Sequence, residues 1–135
     1  MAALFNLEIF TPQRLFFSGP VEAIILTLSD GDAAVYANHA PFTAPVVPCL
    51  LKICDAQGNW RTAYSAEGIL EVTGEKTVFV SDAAEWPEEI DCEGARAEKE
   101  EAEKTLVEGT FRFETDAARA SLRRANMRLK AADKN

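Results

Sequence analysis

Near residue 85 the chain changes character, and this limits the folds open to it more than any single motif does. Residues 1–84 carry 4 Lys+Arg and 9 Asp+Glu, so 13 of 84 positions are charged, whereas residues 85–135 carry 10 and 13, or 23 of 51. Five of the seven glycines and five of the six prolines lie in the first segment. Sparse charge with frequent turn formers points to short strands, and dense charge with few breakers points to solvated helices. The boundary falls at Ala83-Ala84-Glu85-Trp86-Pro87, where Pro87 lacks the N–H that a continuous ladder or helix needs. The expected architecture is α+β: an antiparallel β-sandwich over 1–84, then an antiparallel α-helical hairpin over 85–135.

Within the first segment, Phe5, Leu7 and Ile9 alternate with Asn6 and Glu8, the period of a half-buried strand. Val21 to Ser29 is aliphatic and β-branched and stops at the turn signal Asp30-Gly31-Asp32. Leu50–Cys54 and Trp60–Ser65 flank Asp55 to Asn59 as one hairpin, and Ile69–Thr73 and Thr77–Ser81 flank Gly74-Glu75 as another. Short strands at this spacing suggest a sandwich or flattened barrel.

In the second segment, Ala95, Ala102 and Leu106 share a stripe of a first helix, about residues 91–107, with Gly109 available for a left-handed cap. A loop through Phe111-Arg112-Phe113 leads to a second helix, with Thr115 as the expected N-cap. There Ala118, Leu122, Ala125, Leu129 and Ala132 form a narrow seam made mostly of alanine. Residues 85–108 hold 3 basic and 10 acidic side chains, net −7, while residues 115–135 hold 6 and 2, net +4. Two readings stand. Either the opposite signs steady a solvated hairpin through weak surface pairs of about 0–1 kcal/mol each, or the basic helix leaves its partner to dock on an acidic surface. A thin alanine seam buries little area, so parting it costs little.

Several classes are disfavoured. The net charge of −8 opposes nucleic-acid binding and direct lipid insertion as the main role. No apolar run approaches the roughly 18 residues of a membrane span. The opening Met1 to Asn6 lacks the basic and apolar regions of a signal peptide, and three cysteines (Cys49, Cys54, Cys92) fit reduced, buried thiols better than a metal pair. The single histidine, His39, is the one candidate for a nucleophile relay, and no nucleophile elbow, phosphate loop or zinc motif accompanies it. Glu88 and Glu89 are explained by a helix start. Catalysis is not indicated.

Four stretches, in this order and spacing, resemble the epsilon subunit of F-type ATP synthase (delta in mitochondrial naming). Thr11-Pro12 with Phe16-Phe17-Ser18-Gly19 looks like the family's opening. Gly31 to Phe42 is similar to the segment "GELGILPGHAPL", matching at Gly31, His39, Ala40 and Pro41. Gly68-Ile69-Leu70-Glu71-Val72 matches the "GGILEV" strand, with Glu67 in place of its first glycine, and Arg124 to Leu129 looks like the C-terminal arginine-containing helix. The resemblance implies a non-catalytic rotor subunit, peripheral on the cytoplasmic face of the cell membrane, coupling ion flow to ATP synthesis. Its sandwich would pack on the gamma subunit and present Asn38, His39, Ala40, Pro41 and Phe42 to the c-ring. Its hairpin, when extended, would enter the alpha/beta catalytic head and resist hydrolysis, with Arg119, Arg123, Arg124 and Arg128 making the contacts. The competing reading is a free-standing ligand-binding sandwich with a helical lid, although no convergent polar cluster marks a pocket.

Some family members bind ATP at the folded hairpin through "I/L-D-x-x-R-A" and two downstream arginines. By this resemblance Glu85, Asp91, Arg124 and Arg128 are vestigial candidates, but Gly94 occupies the motif arginine's place. Arg96 lies about 200° further around a helix and is no substitute. No cofactor is expected, and ATP binding should be very weak or absent.

Overall fold

The computed structural model describes residues 3–109 and 111–133. Nine strands form the first unit: β1 (Phe5–Phe10), β2 (Leu15–Leu28), β3 (Gly31–Tyr36), β4 (Phe42–Val46), β5 (Cys49–Asp55), β6 (Trp60–Ser65), β7 (Gly68–Val72), β8 (Thr77–Ser81) and β9 (Ala84–Glu85). A 3-10 turn (Pro87–Glu89) leads to α1 (Cys92–Glu108) and α2 (Arg112–Ala132).

The 14-residue β2 organises the sandwich. Its first half pairs with β1, and its second half pairs with β3 on one side and β5 on the other. The register shift against β5 between Val21 and Ala23 marks the irregularity where the strand passes from one layer to the other. One layer is β1-β8-β7-β4, and the other is β3-β2-β5-β6-β9. Sequence reading starts this strand at Val21, where the aliphatic and β-branched run begins; tertiary pairing with β1 carries it back to Leu15. The other departure is β1 beside β8, which run parallel, unlike the remaining pairings among the described residues. The inward rows of both layers close over one core that includes Leu7, Ile9, Val21, Ile24, Leu26, Leu51, Ile53, Leu70 and Phe79, all at most 1% exposed.

Two of the three thiols join the buried set. Burial, reinforced by a hydrogen bond to Glu22 Oε2 at 3.1 Å, pushes the Cys54 thiol up to about 11. Cys49 packs in the main core and Cys92 is half-buried, and among the described residues no cluster of metal-ligating groups exists.

The link between units is pinned to the sandwich. Trp86 stacks on Phe16 with ring centroids 4.5 Å apart, and Arg61 lies over the other aromatic partner, 3.7 Å from the Trp86 ring. Glu89 accepts from Trp86 N–H and pairs with Arg14 at 2.7 Å. The hydrogen bond from Arg14, then that from Trp86, hold the Glu89 carboxyl below the usual range. The expected role of Glu89 at a helix start is thus joined by an ion pair that sequence spacing could not show.

Helix α1 starts where expected, with Asp91 as N-cap accepting from Gly94 N–H at 3.0 Å. Two expectations at the hairpin turn fail. Gly109 has φ −63° and ψ 131°, which is extended rather than left-handed, so the chain leaves α1 without the reversing cap. Helix α2 begins at Arg112 with Phe111 as its N-cap, one turn before Thr115, whose hydroxyl donates back to Arg112 O at 2.9 Å. The segment Arg112-Phe113 is therefore helical rather than loop; packing of α2 on α1 extends the helix past the local capping signal.

Alanines make most of the expected seam. Ala95 and Ala102 of α1 and Ala118 and Ala125 of α2 are buried, while Leu106, Leu122 and Leu129 are half-buried; Ala132, the expected last member, is half-buried against the second small core. Helix α2 also covers the outer face of β5 and β6. There Leu50 and Tyr64, Cα partners across the two strands, pack with Ile90, Met127 and Ala131 in a second small core.

Candidate functional site

Three places on the molecule can do functional work: the arginine row of α2, the His39 loop, and an uncovered apolar face of the sandwich. The four arginines singled out from sequence meet different fates. Arg119 is exposed and pairs within its helix with Asp116 at 3.3 Å. Arg123 donates from Nε to the carbonyl of Pro48 at 2.9 Å. Arg124 reaches Glu67 at 3.5 Å and Ser121 Oγ at 3.2 Å. Arg128 grips Glu85 with two nearly parallel bonds, Nε–Oε1 at 2.7 Å and Nη2–Oε2 at 3.2 Å, with Glu98 of α1 at 4.0 Å. This fork-to-fork geometry is the strongest arrangement open to an arginine and a carboxylate. Burial is the strongest single influence on the Arg128 charge and opposes it, but the Glu85 hydrogen bond together with the charges of Glu85, Tyr64 and Glu98 outweighs it and raises the guanidinium pKa. Beside them, burial raises the Tyr64 phenol as well.

Glu85, Arg124 and Arg128 thus meet in one open groove between hairpin and sandwich, lined also by Tyr64, Glu67 and Glu98. Asp91 is not among the groove's lining residues and is spent on capping α1. Gly94 sits with its backbone against the Asp91 carboxylate, so a Cβ there would lie within 2.5–3.0 Å of it. The partners Glu67 and Pro48 escaped sequence reading. Glu67 had left a trace, since it stands where the family pattern places glycine.

Asn38 to Pro41 lie in the connection between β3 and β4, and Phe42 opens β4. Asn38 takes φ +65°, a left-handed conformation that asparagine tolerates. His39 is exposed, with Nδ1 2.8 Å from Ala40 O and its ring 4.9 Å from that of Phe42. Strand β4 runs from this loop to the turn at Pro48, where Arg123 binds, so loop and hairpin anchor lie at opposite ends of the strand.

The third feature was not anticipated. Register places Phe10 beside Val80, Val80 beside Ile69, and Ile69 beside Pro45. Leu15 continues the row past Phe10. All five point outward from the layer that α2 leaves bare, with Leu15 at 51%, Ile69 at 49% and Val80 at 52% exposure. A signal existed in the sequence: Val78-Phe79-Val80 does not alternate, as expected of a strand covered on both faces.

Comparison with known proteins agrees with this architecture. Residues 4–87 match the family model for the β-sandwich domain of the ATP synthase delta/epsilon chain, and residues 88–133 match that family's long α-helix domain. The ATP synthase epsilon chain of Caldanaerobacter subterraneus subsp. tengcongensis is 41% identical over 134 residues, 99% of this chain and 97% of the relative. That of Caldicellulosiruptor bescii is 44% identical over 133 residues, 98% and 96%. Among solved structures, a chain in the mitochondrial ATP synthase of Euglena gracilis (OSCP/F1/c-ring, rotational state 1) shares the fold. Its TM-score is 0.82 at 21% identity, covering 98% of this chain and 82% of the other. The protein is of the sandwich-plus-hairpin class of rotary ATP synthase subunits. It belongs to the ATP synthase delta/epsilon chain family. The reading as a subunit of the synthase without catalysis of its own follows from that membership.

Proposed function

We propose that the chain works in the central stalk of an F-type ATP synthase, coupling ion translocation to ATP synthesis in the catalytic head. The observation that carries the reading is the bare apolar row from Leu15 to Pro45: it needs a protein cover, and on this reading the gamma subunit supplies it. The exposed, weakly charged Asn38–Phe42 loop then faces the c-ring, and the complex places the chain peripherally on the cytoplasmic face of the membrane. Among the described residues no helix is long and apolar enough to cross a bilayer.

The hairpin is the regulatory arm. When it extends, Arg119, Arg123, Arg124 and Arg128 meet acidic residues of the alpha/beta head and resist rotation in the hydrolysis direction. The folded hairpin supports this role because its helix–helix seam is mostly alanine, giving little area to part. Ending the chain after Val107 should raise ATP hydrolysis by the assembled complex several-fold and leave assembly intact. Unchanged hydrolysis in purified complex would remove the arm from the mechanism.

ATP binding by the isolated chain is expected to be very weak or absent. The motif arginine is missing at Gly94, Asp91 is held as a helix cap, and Arg128 is occupied by Glu85. Losing one charge-assisted bond to phosphate removes about 1.5–3 kcal/mol. Calorimetric titration with ATP checks this, and sub-millimolar affinity contradicts it.

A further inference from the structure

We infer that Arg123, Arg124 and Arg128 are an ionic latch that holds the hairpin on the sandwich with no nucleotide. The latch rests on the reading of the hairpin as a releasable arm and assigns the control of its release. Each of the three side chains leaves α2 for a different part of the sandwich: Arg123 for the turn between β4 and β5, Arg124 for the link between β6 and β7, and Arg128 for the short strand β9. Together they fix the helix at three points on one edge.

Beneath them the apolar contact is small. Its buried members are Tyr64, Ala66, Ile90 and Ala131, with Leu50 and Met127 among the half-buried residues at its margin. Where apolar area is modest, half-buried charge-assisted bonds decide the balance. The Arg128–Glu85 pair suits that role best, with side chains 18% and 24% exposed and two well-directed bonds. The Arg124–Glu67 pair is longer and more exposed, so it contributes less.

The same three guanidiniums are among the four offered to the head. A guanidinium paired bidentately with one carboxylate cannot pair so with a second. Glu85 therefore competes directly with any acidic surface that receives the arm, Glu67 more weakly through its single contact, and folded and extended states exclude each other by sharing donors. An anion that enters the groove meets carboxylates already on its arginines, so this device needs no bound ligand to keep the arm down.

Hydrogen exchange on the isolated full-length chain tests the latch apart from the arm's effect on hydrolysis. Arg128→Glu and Glu85→Arg should each speed exchange of α1 and α2 amides about tenfold or more, with sandwich amides such as those of Leu51 and Leu70 unchanged. The double exchange Glu85→Arg/Arg128→Glu should restore most of the protection. Arg128→Lys, which keeps the charge but loses the fork, should fall between. In the native chain, raising salt from about 0.05 to 0.5 M should speed the same helical amides. Unaltered helical protection in Arg128→Glu, or a double variant no better than the singles, overturns the latch. If the latch holds while truncation leaves hydrolysis unchanged, the fault lies with the regulatory reading instead.

Discussion

Gly68→Ala should destabilise the sandwich on the order of 3–5 kcal/mol, a large share of the roughly 5–15 kcal/mol that holds a domain this size. The reason is a close approach of backbones. A Cβ on Gly68 would overlap the carbonyl oxygen of Val80 and lie 2.8 Å from Ser81 Cα and 2.9 Å from Phe79 Cε1. Two of these atoms are main chain, so no rotamer change relieves the clash. Strands β7 and β8 must separate at the Gly68–Ser81 pair, and that loosens the cover over Leu70 and Phe79, both fully buried. Urea unfolding followed by circular dichroism should show the midpoint lowered by about 2 M. Gly74→Ala supplies the control: nothing lies within 4 Å of a Cβ there, and its midpoint should stay near that of the native chain. Equal midpoints for both variants would refute the steric account.

Ile69→Glu should leave the isolated chain folded and weaken its association with the gamma subunit about a hundredfold or more. Ile69 is 49% exposed within the apolar row, between Val80 and Pro45, so the free chain loses almost nothing. In a closed interface the same carboxylate would be desolvated with no basic partner among the row residues. Titration of purified gamma subunit with each variant measures the loss, and Ile69→Val should bind as the native chain does. Native affinity for Ile69→Glu would move the gamma contact to another face and remove the observation on which the proposed function rests.

Residue patterns gave much of the fold. The break near Glu85, the two hairpins about Gly58 and Gly74, and the extent of α1 were legible because each depends on neighbours within a few positions. The errors fall where distant parts meet. Strand β2 extends back to Leu15 because β1 offers it a ladder, and α2 starts before Thr115 because α1 lies alongside. For the candidate site, the basic second helix together with the family resemblance named the four arginines, but not Glu67 or the Pro48 carbonyl, which lie 57 and 75 residues from their partners. The apolar row was hidden differently: Phe10, Val80, Ile69 and Pro45 are far apart in sequence, and register alone makes them neighbours.

By itself, the sequence determined that this chain has two parts of unlike composition, a turn-rich sandwich and a highly charged pair of helices bearing opposite net charges. Periodicity, turn chemistry and charge are local quantities, so they are readable without a fold. Tertiary structure decided which charges meet, which sandwich face α2 covers and which apolar residues stay bare. Those outcomes rest on strand register and helix docking, where a side chain's energy depends on what the rest of the chain brings against it. Arg128 carries a positive charge in any conformation; Glu85 across the groove makes it a point of attachment.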